Sequence, residues 1–258
     1  MNILEIKNVC KNYKAEKGIN TKVLKNINLT VKDNEFVGIM GSSGSGKTTL
    51  LNVAAGIDSF DDGKINIYGN DISKMKRNEL SLFRRNNIGM VFQDFNLISS
   101  LSIKENILVP LILDKKYEII QGDSIDKLAK LLDIEEIMNK YPYEISGGQQ
   151  QRAAICRAII NSPKIIFADE PTGNLDSSSS EKVLEYFKLL HSEYNTGIVM
   201  VTHEIFSASY CDRVVFLKDG VIIKEIIKKK DRFEFFNCIM KEVQAFSMID
   251  KRRKSNEV

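Results

Sequence analysis

The run Gly41-Ser42-Ser43-Gly44-Ser45-Gly46-Lys47-Thr48 fits the pattern G-x-x-x-x-G-K-[ST]. Glycines lack a Cβ, so backbone N–H groups there can turn inward and close on phosphate oxygens. Lys47 is long enough to reach the β- and γ-phosphates of a nucleotide, and Thr48 offers a hydroxyl to Mg²⁺. Thr49 follows as a further phosphate contact. The pattern carries this meaning when it lies between a strand and a helix. Glu35 to Met40 is a short apolar run that reads as the strand, and Lys47 to Ala55 has apolar helical spacing. The start of that helix adds partial positive charge where phosphate would sit.

Ile165-Ile166-Phe167-Ala168-Asp169-Glu170 supplies two acids at the end of an apolar strand. Successive strand residues point to opposite faces, so adjacent acids can take different tasks. Asp169 is suited to hold Mg²⁺ through its water shell, and Glu170 to orient and polarise an attacking water. A phosphate loop with two such acids fits a GTPase, a kinase, a helicase or a transporter motor. The guanine-reading run N-K-x-D is absent. Ser146-Gly147-Gly148-Gln149 is a second Gly-rich helix start, with a serine and free amides facing outward. One nucleotide cannot use both helix starts of one chain if they lie far apart. A head-to-tail homodimer brings the phosphate loop of one copy to the Ser-Gly-Gly-Gln of the other.

The rest of the chain must position these groups. Residues 3–9, 23–31 and 64–68 alternate apolar and polar, as half-exposed strands do, and suggest an antiparallel layer. Ile198 to Thr202 and Arg213 to Lys218 read as further strands, the second closed by an Asp219-Gly220 hairpin turn. Helical spacing spans residues 71–86, 123–140, 146–161 and 180–194. Strands alternating with helices predict an α/β protein, a phosphate-loop (RecA-like) core with a mostly parallel sheet covered on both faces. The stretch 94–150 shows no strand signal and reads as an α-helical subdomain. The expected division is 1–93 and 151–228 for the two halves of the core, 94–150 for the helical subdomain, and 229–258 for a helical extension with a basic end.

Composition agrees with a packed globular chain: 258 residues, 43% hydrophobic and 28% charged. A formal net charge of +3 gives no footprint for nucleic acid. No apolar run approaches membrane-spanning length, and Met1 to Glu5 does not open like a signal peptide. Cys10, Cys156, Cys211 and Cys238 are scattered, which predicts reduced cysteines and a cytoplasmic setting.

Over residues 3–228 the chain resembles the nucleotide-binding subunits of ABC transporters. In that family Ser-Gly-Gly-Gln is the signature sequence, and the resemblance implies a subunit that binds and hydrolyses ATP with Mg²⁺. It also implies roles for single residues. Gln93 matches the Q-loop glutamine that senses Mg²⁺ and touches the membrane partner, and His203 the switch histidine on the γ-phosphate. Asp176, in Asn174-Leu175-Asp176, matches the D-loop that crosses the dimer seam, and Tyr13 the aromatic ring stacked on adenine. Ile145 departs from the commoner leucine, an apolar exchange. Read singly, Gln93 is also consistent with a surface glutamine, His203 with a satisfied strand-end histidine, and Tyr13 with an ordinary strand tyrosine.

Gly89 to Leu97, Tyr141 to Glu144 and Ala168 to Asp176 resemble the subfamily of macrolide exporters, lipoprotein-releasing ATPases and the cell-division ATPase. Ala208 to Val214 and Asp231 to Lys241 are most similar to its bacitracin-resistance (Bce-type) members. That resemblance implies an integral-membrane permease as partner, a place at the cytoplasmic face of the membrane, and an indirect link to a sensor histidine kinase. Two alternatives stay open: a force-transmitting ATPase that moves no substrate, and a soluble ABC ATPase of translation or DNA repair. The second usually carries two cassettes, a long coiled coil or zinc cysteines, none of which is seen here.

Overall fold

The computed structural model describes residues 1–14, 20–116 and 124–255, with side chains up to residue 246. The side chains of the basic run Lys251 to Lys254, and the expected helix start at residue 123, lie outside what is described.

A four-stranded antiparallel sheet holds β1 (Asn2–Lys14), β2 (Asn20–Lys32), β4 (Asp62–Ile67) and β5 (Asn70–Asp71), in the order β2-β1-β4-β5. A six-stranded sheet holds β3 (Phe36–Met40), β6 (Ile88–Val91), β7 (Ile165–Asp169), β8 (Gly197–Thr202), β9 (Arg213–Lys218) and β10 (Val221–Ile227). Its order is β10-β9-β3-β8-β7-β6, parallel throughout except for the β9–β10 hairpin. Among the described residues the α-helices are α1 (Lys47–Ala54), α2 (Arg77–Asn87), α3 (Ile103–Leu113), α4 (Ser124–Leu131), α5 (Gly147–Ile159), α6 (Ser177–Tyr194), α7 (Ile205–Ala208) and α8 (Arg232–Ser255).

The central strands explain the layering. Phe36 and Met40 of β3 join one core, while Val37 and Ile39 join another. The same alternation divides Ile166 and Ala168 from Ile165 and Phe167 on β7. Both faces are apolar because both are covered, which is why these strands read as continuous apolar runs. One face packs on α3 to α6 and α8. The other packs on α1 and the antiparallel sheet. The fold is the α/β phosphate-loop arrangement expected.

The differences from the sequence reading each have a physical cause. The helix expected over 71–86 is broken: Asp71 ends β5 and caps a 3₁₀ turn at Ile72–Lys74 by accepting from the Ser73 N–H, and α2 starts only at Arg77. The helix expected over 123–140 stops at Leu131, and a 3₁₀ turn at Glu135–Ile137 follows Asp133, whose φ is 53°. Strand β6 carried no periodic signal because it is short and glycine-containing; its pairing with β7 defines it. Asp176 caps α6, so that helix begins at Ser177 and not at residue 180. The apolar face of the C-terminal extension packs on its own domain, with Phe235 and Ile239 buried and Phe246 against Phe216. All four cysteines are free, and burial pushes the Cys156 thiol up to about 12.

Asp212 ties α6 and the segment after β10 to the start of β3. It accepts from the Phe36 N–H at 3.0 Å and lies 3.5 Å from His191 of α6 and 3.6 Å from Lys228. Burial works against charge on both members of the pair. It is outweighed for His191 by Asp212 and the Thr196 carbonyl, so the imidazole titrates above 6.5, and for Asp212 by His191 and the Phe36 N–H, so the carboxyl titrates below 3.8. The His191 contribution to stability is therefore complete below pH 6.5 and disappears as pH rises through its raised pKa. The Asp212 contribution is complete above pH 3.8 and disappears as pH falls through its lowered pKa. His191→Gln is expected to lower the melting temperature most near pH 6 and progressively less toward pH 8. A gap between variant and wild type that widens with pH contradicts this pairing.

Candidate functional site

Strand β3 ends at Met40, and the chain turns over residues 41–46 into α1. Gly46 sits at the helix N-cap with φ 101° and supplies no capping side chain, and the first turn holds no acid. The leading N–H groups of α1 are thus left without a side-chain acceptor and suit an anion. Lys47 is 6% exposed; its ammonium donates to the Ser42 carbonyl at 3.1 Å and lies 3.7 Å from Glu170 Oε1. The lysine therefore folds back over the loop whose ligand it would share.

Asp169 ends β7 beside α1, where the Thr48 hydroxyl donates to its Oδ1 at 3.1 Å. Burial raises the Asp169 carboxyl above its usual range and the Glu170 charge adds to that, against the Thr48 bond and Lys47. A half-buried carboxylate beside a hydroxyl forms a hard-oxygen donor pair that suits a small divalent cation. Glu170 follows with φ 43°, a left-handed conformation that costs a non-glycine residue roughly 1–2 kcal/mol. Its N–H donates to Val201 O and its carbonyl accepts from Gly173 N–H, both at 3.0 Å, which holds the turn. The side chain is thereby brought to His203, just beyond β8, with Glu170 Oε2 2.9 Å from His203 Nδ1. A cleft of about 720 Å³ is lined by Ser42, Ser43, Gly44, Gly46, Lys47, Thr48, Thr49, Glu170, His203 and Val23. Such a volume suits a nucleotide, with donors at one end and an acid–imidazole pair opposite. Gly41 and Ser45 lie beneath the loop: a Cβ on Gly41 would sit 2.6 Å from Ser45 Oγ, and Ser45 is 3% exposed.

The other expected residues stand elsewhere. Ser146 caps α5, accepting from the Gln149 N–H, while Gln149 Oε1 accepts from the Ser146 N–H. Neither they nor Gly147 and Gly148 line the cleft. A Cβ on Gly147 would meet Leu175 at 3.4 Å, and one on Gly148 would meet Ser179 Oγ at 2.9 Å, so the signature packs directly on the loop around Asp176. Gln93 follows β6, and its amide donates to Asn174 Oδ1 at 3.2 Å. Tyr13 is 43% exposed; its hydroxyl donates to Asp58 at 2.6 Å and the Lys11 ammonium lies 4.8 Å from its ring. Tyr13 does not line the cleft, whereas Val23 of β2 does.

Sequence reasoning missed the residues that brace these loops. Gln151 is fully buried; its amide donates to Pro171 O at 2.8 Å and Phe92 O at 3.4 Å, joining the residue before Gln93 to the turn after Glu170. Arg157 donates to Phe95 O and Asn96 O, the carbonyls of two residues at positive φ. Thr172 and Ser207 both donate to Glu204, next to His203. A glutamine and an arginine inside a predicted helix were the available signal, and helical spacing alone does not distinguish them from exposed polar residues.

Residues 24–173 match the family model described as ABC transporter. The chain is 48% identical over 242 residues to the bacitracin export ATP-binding protein BceA of Halalkalibacterium halodurans, covering 93% of this chain and 95% of that protein. It is 45% identical over 239 residues to the ABC transporter ATP-binding protein YxdL of Bacillus subtilis, covering 93% and 92%. The ATP-binding cassette MJ0796, solved as a dimer in a post-hydrolysis state with ADP and Pi, superimposes with a TM-score of 0.79 at 38% identity, covering 88% of this chain and 99% of that one. The chain belongs to the ABC transporter family and is one of its ATP-binding, ATP-hydrolysing subunits.

Proposed function

We propose that two copies of this chain pair head to tail and drive a membrane permease that confers resistance to antimicrobial peptides of the bacitracin type. The observation that carries the pairing is the distance in role between the two Gly-rich helix starts. One borders the cleft, and the other, Ser146 to Gln149, lines none of it. A second copy in opposite orientation brings Ser146, Gly147, Gly148 and Gln149 to the outer side of a bound ATP, with Asp176 at the seam. In this reading Gly41 to Thr49 cradle the phosphates, Thr48 and Gln93, with Asp169 through water, would hold Mg²⁺, and Tyr13 faces the adenine. Such a cation would supply neutralisation of phosphate charge. Glu170 orients the attacking water and accepts its proton, Lys47 and the loop amides take up charge developing on the γ-phosphoryl group, and His203 holds Glu170 while contacting the same group.

The permease reading is supported by the bacitracin-exporting relative and by a groove of about 320 Å³ beside Gln93, lined by Arg85, Met90, Phe92, Asn96, Pro110 and Arg157. Residues Gln93 to Leu97 and the helical unit 94–150 pass motion to the permease, between the core halves 1–93 and 151–228, with 229–258 as an extension. The subunit then works at the cytoplasmic face, and an indirect link to a sensor histidine kinase accompanies the Bce-type role. Among the described residues no helix is long and apolar enough to cross a membrane.

Light scattering on the full chain tests the pairing. With Glu170→Gln to halt turnover, ATP is expected to convert monomer to dimer with one nucleotide per copy. Adding Ser146→Arg is expected to keep the chain monomeric while it still binds ATP. A monomer that encloses ATP fully, indifferent to Ser146→Arg, overturns the proposal.

A further inference from the structure

The loop carrying Asn174 decides which end of the Gln93 side chain is presented outward. Asn174 Nδ2 donates to Asp94 Oδ1 at 2.8 Å and to the Gln93 carbonyl at 3.2 Å. Both partners are acceptors, so only the nitrogen end of the Asn174 amide can face them. Its Oδ1 is then left to accept, and the Gln93 Nε2 donates to it at 3.2 Å. That bond in turn fixes the Gln93 amide, because an amide oxygen turned toward Asn174 Oδ1 would set two acceptors against each other. Gln93 Oε1, the only end able to ligate a cation, is the end that accepts no hydrogen bond among the described residues. Gly173 adds a steric guide: a Cβ there would lie 3.0 Å from Gln93 Nε2 and 3.2 Å from its amide carbon.

We propose that Asn174 is a positioning residue that sets the amide of Gln93, so that its oxygen and not its nitrogen is offered to the nucleotide-bound cation. The inference rests on the reading of Gln93 as a cation contact, and it assigns Asn174 a task separate from the dimer seam. It also makes Asp94 a third member of the chain, since its carboxylate fixes the first amide.

Binding without turnover is the direct test. On the full chain carrying Glu170→Gln, the affinity for Mn²⁺ with ATP is measured by electron paramagnetic resonance, and melting temperature reports folding. Asn174→Ala is expected to weaken Mn²⁺ binding about tenfold, the usual cost of losing a ligand's orienting partner, and Gln93→Ala, which removes the contact itself, at least as much. The double variant is expected to be no weaker than Gln93→Ala alone, and Asp94→Ala to show a smaller loss of the same sign. If Gln93→Ala weakens binding and Asn174→Ala does not, or if the two losses multiply, the positioning role is wrong while the Gln93 reading survives. If Gln93→Ala changes nothing, that reading falls and the inference with it.

Discussion

Glu170→Gln is expected to leave ATP binding at or above the wild-type level and to cut turnover by about 10²–10⁴, the usual contribution of a positioned general base. The geometry gives both halves of the result. The carboxylate lies 3.7 Å from Lys47 and competes with phosphate for its ammonium, so a neutral amide removes that competitor. The amide also keeps a hydrogen-bonding atom for His203, now 2.9 Å from Glu170 Oε2, so the loop keeps its shape. What it cannot do is accept a proton from water. Steady-state phosphate release beside equilibrium binding of a fluorescent ATP analogue separates the effects. Turnover within a few-fold of wild type would remove Glu170 from the chemistry.

Gly41→Ala is the second large effect, and it acts through packing. A Cβ there would stand 2.2 Å from the Leu217 carbonyl of β9 and 2.6 Å from Ser45 Oγ. Backbone on one side cannot yield without disturbing β9, so the phosphate loop must move. Overpacking of this kind costs about 1–3 kcal/mol or more, and a displaced loop no longer closes on phosphate. Gly44→Ala is the control. Nothing lies within 4 Å of its Cβ and only its φ of 76° resists an alanine, at a cost of roughly 1–2 kcal/mol. Gly41→Ala is expected to lose ATP binding and melt well below wild type, whereas Gly44→Ala keeps measurable binding. Equal behaviour of the two variants would mean that the loop does not rest on β9 as described.

Strands β3, β7 and β8 were legible in the sequence because burial on both faces leaves an unbroken apolar run, and α1 and α5 because each begins at a glycine-rich signal. The Gly-rich loop 41–48 and the acid pair Asp169-Glu170 stood out as candidates for a related reason: the chemistry they suggest requires particular residue types at fixed, short spacing, which local sequence records directly. Strand β6 was not legible, since it depends on a partner distant in the chain, β7 for Ile88 to Val91; nor was the break of the expected 71–86 helix, where the Asp71 side chain takes the Ser73 N–H, a competition that apolar spacing does not register.

The amino-acid order alone set the glycines, Lys47 and Thr48 side by side between β3 and α1, because a loop able to wrap backbone amides around an anion is built from consecutive positions. Tertiary structure decided what those residues face. Residues 33 positions apart meet as Glu170 and His203 only because β7 and β8 are neighbours in the sheet. Gln93 and Asn174, separated by 81 positions, meet where the loop after β6 passes the loop before α6. Hydrogen bonds reach about 3 Å, so which amide orients which is fixed by how strands are ordered across the sheet, a property that no local spacing encodes.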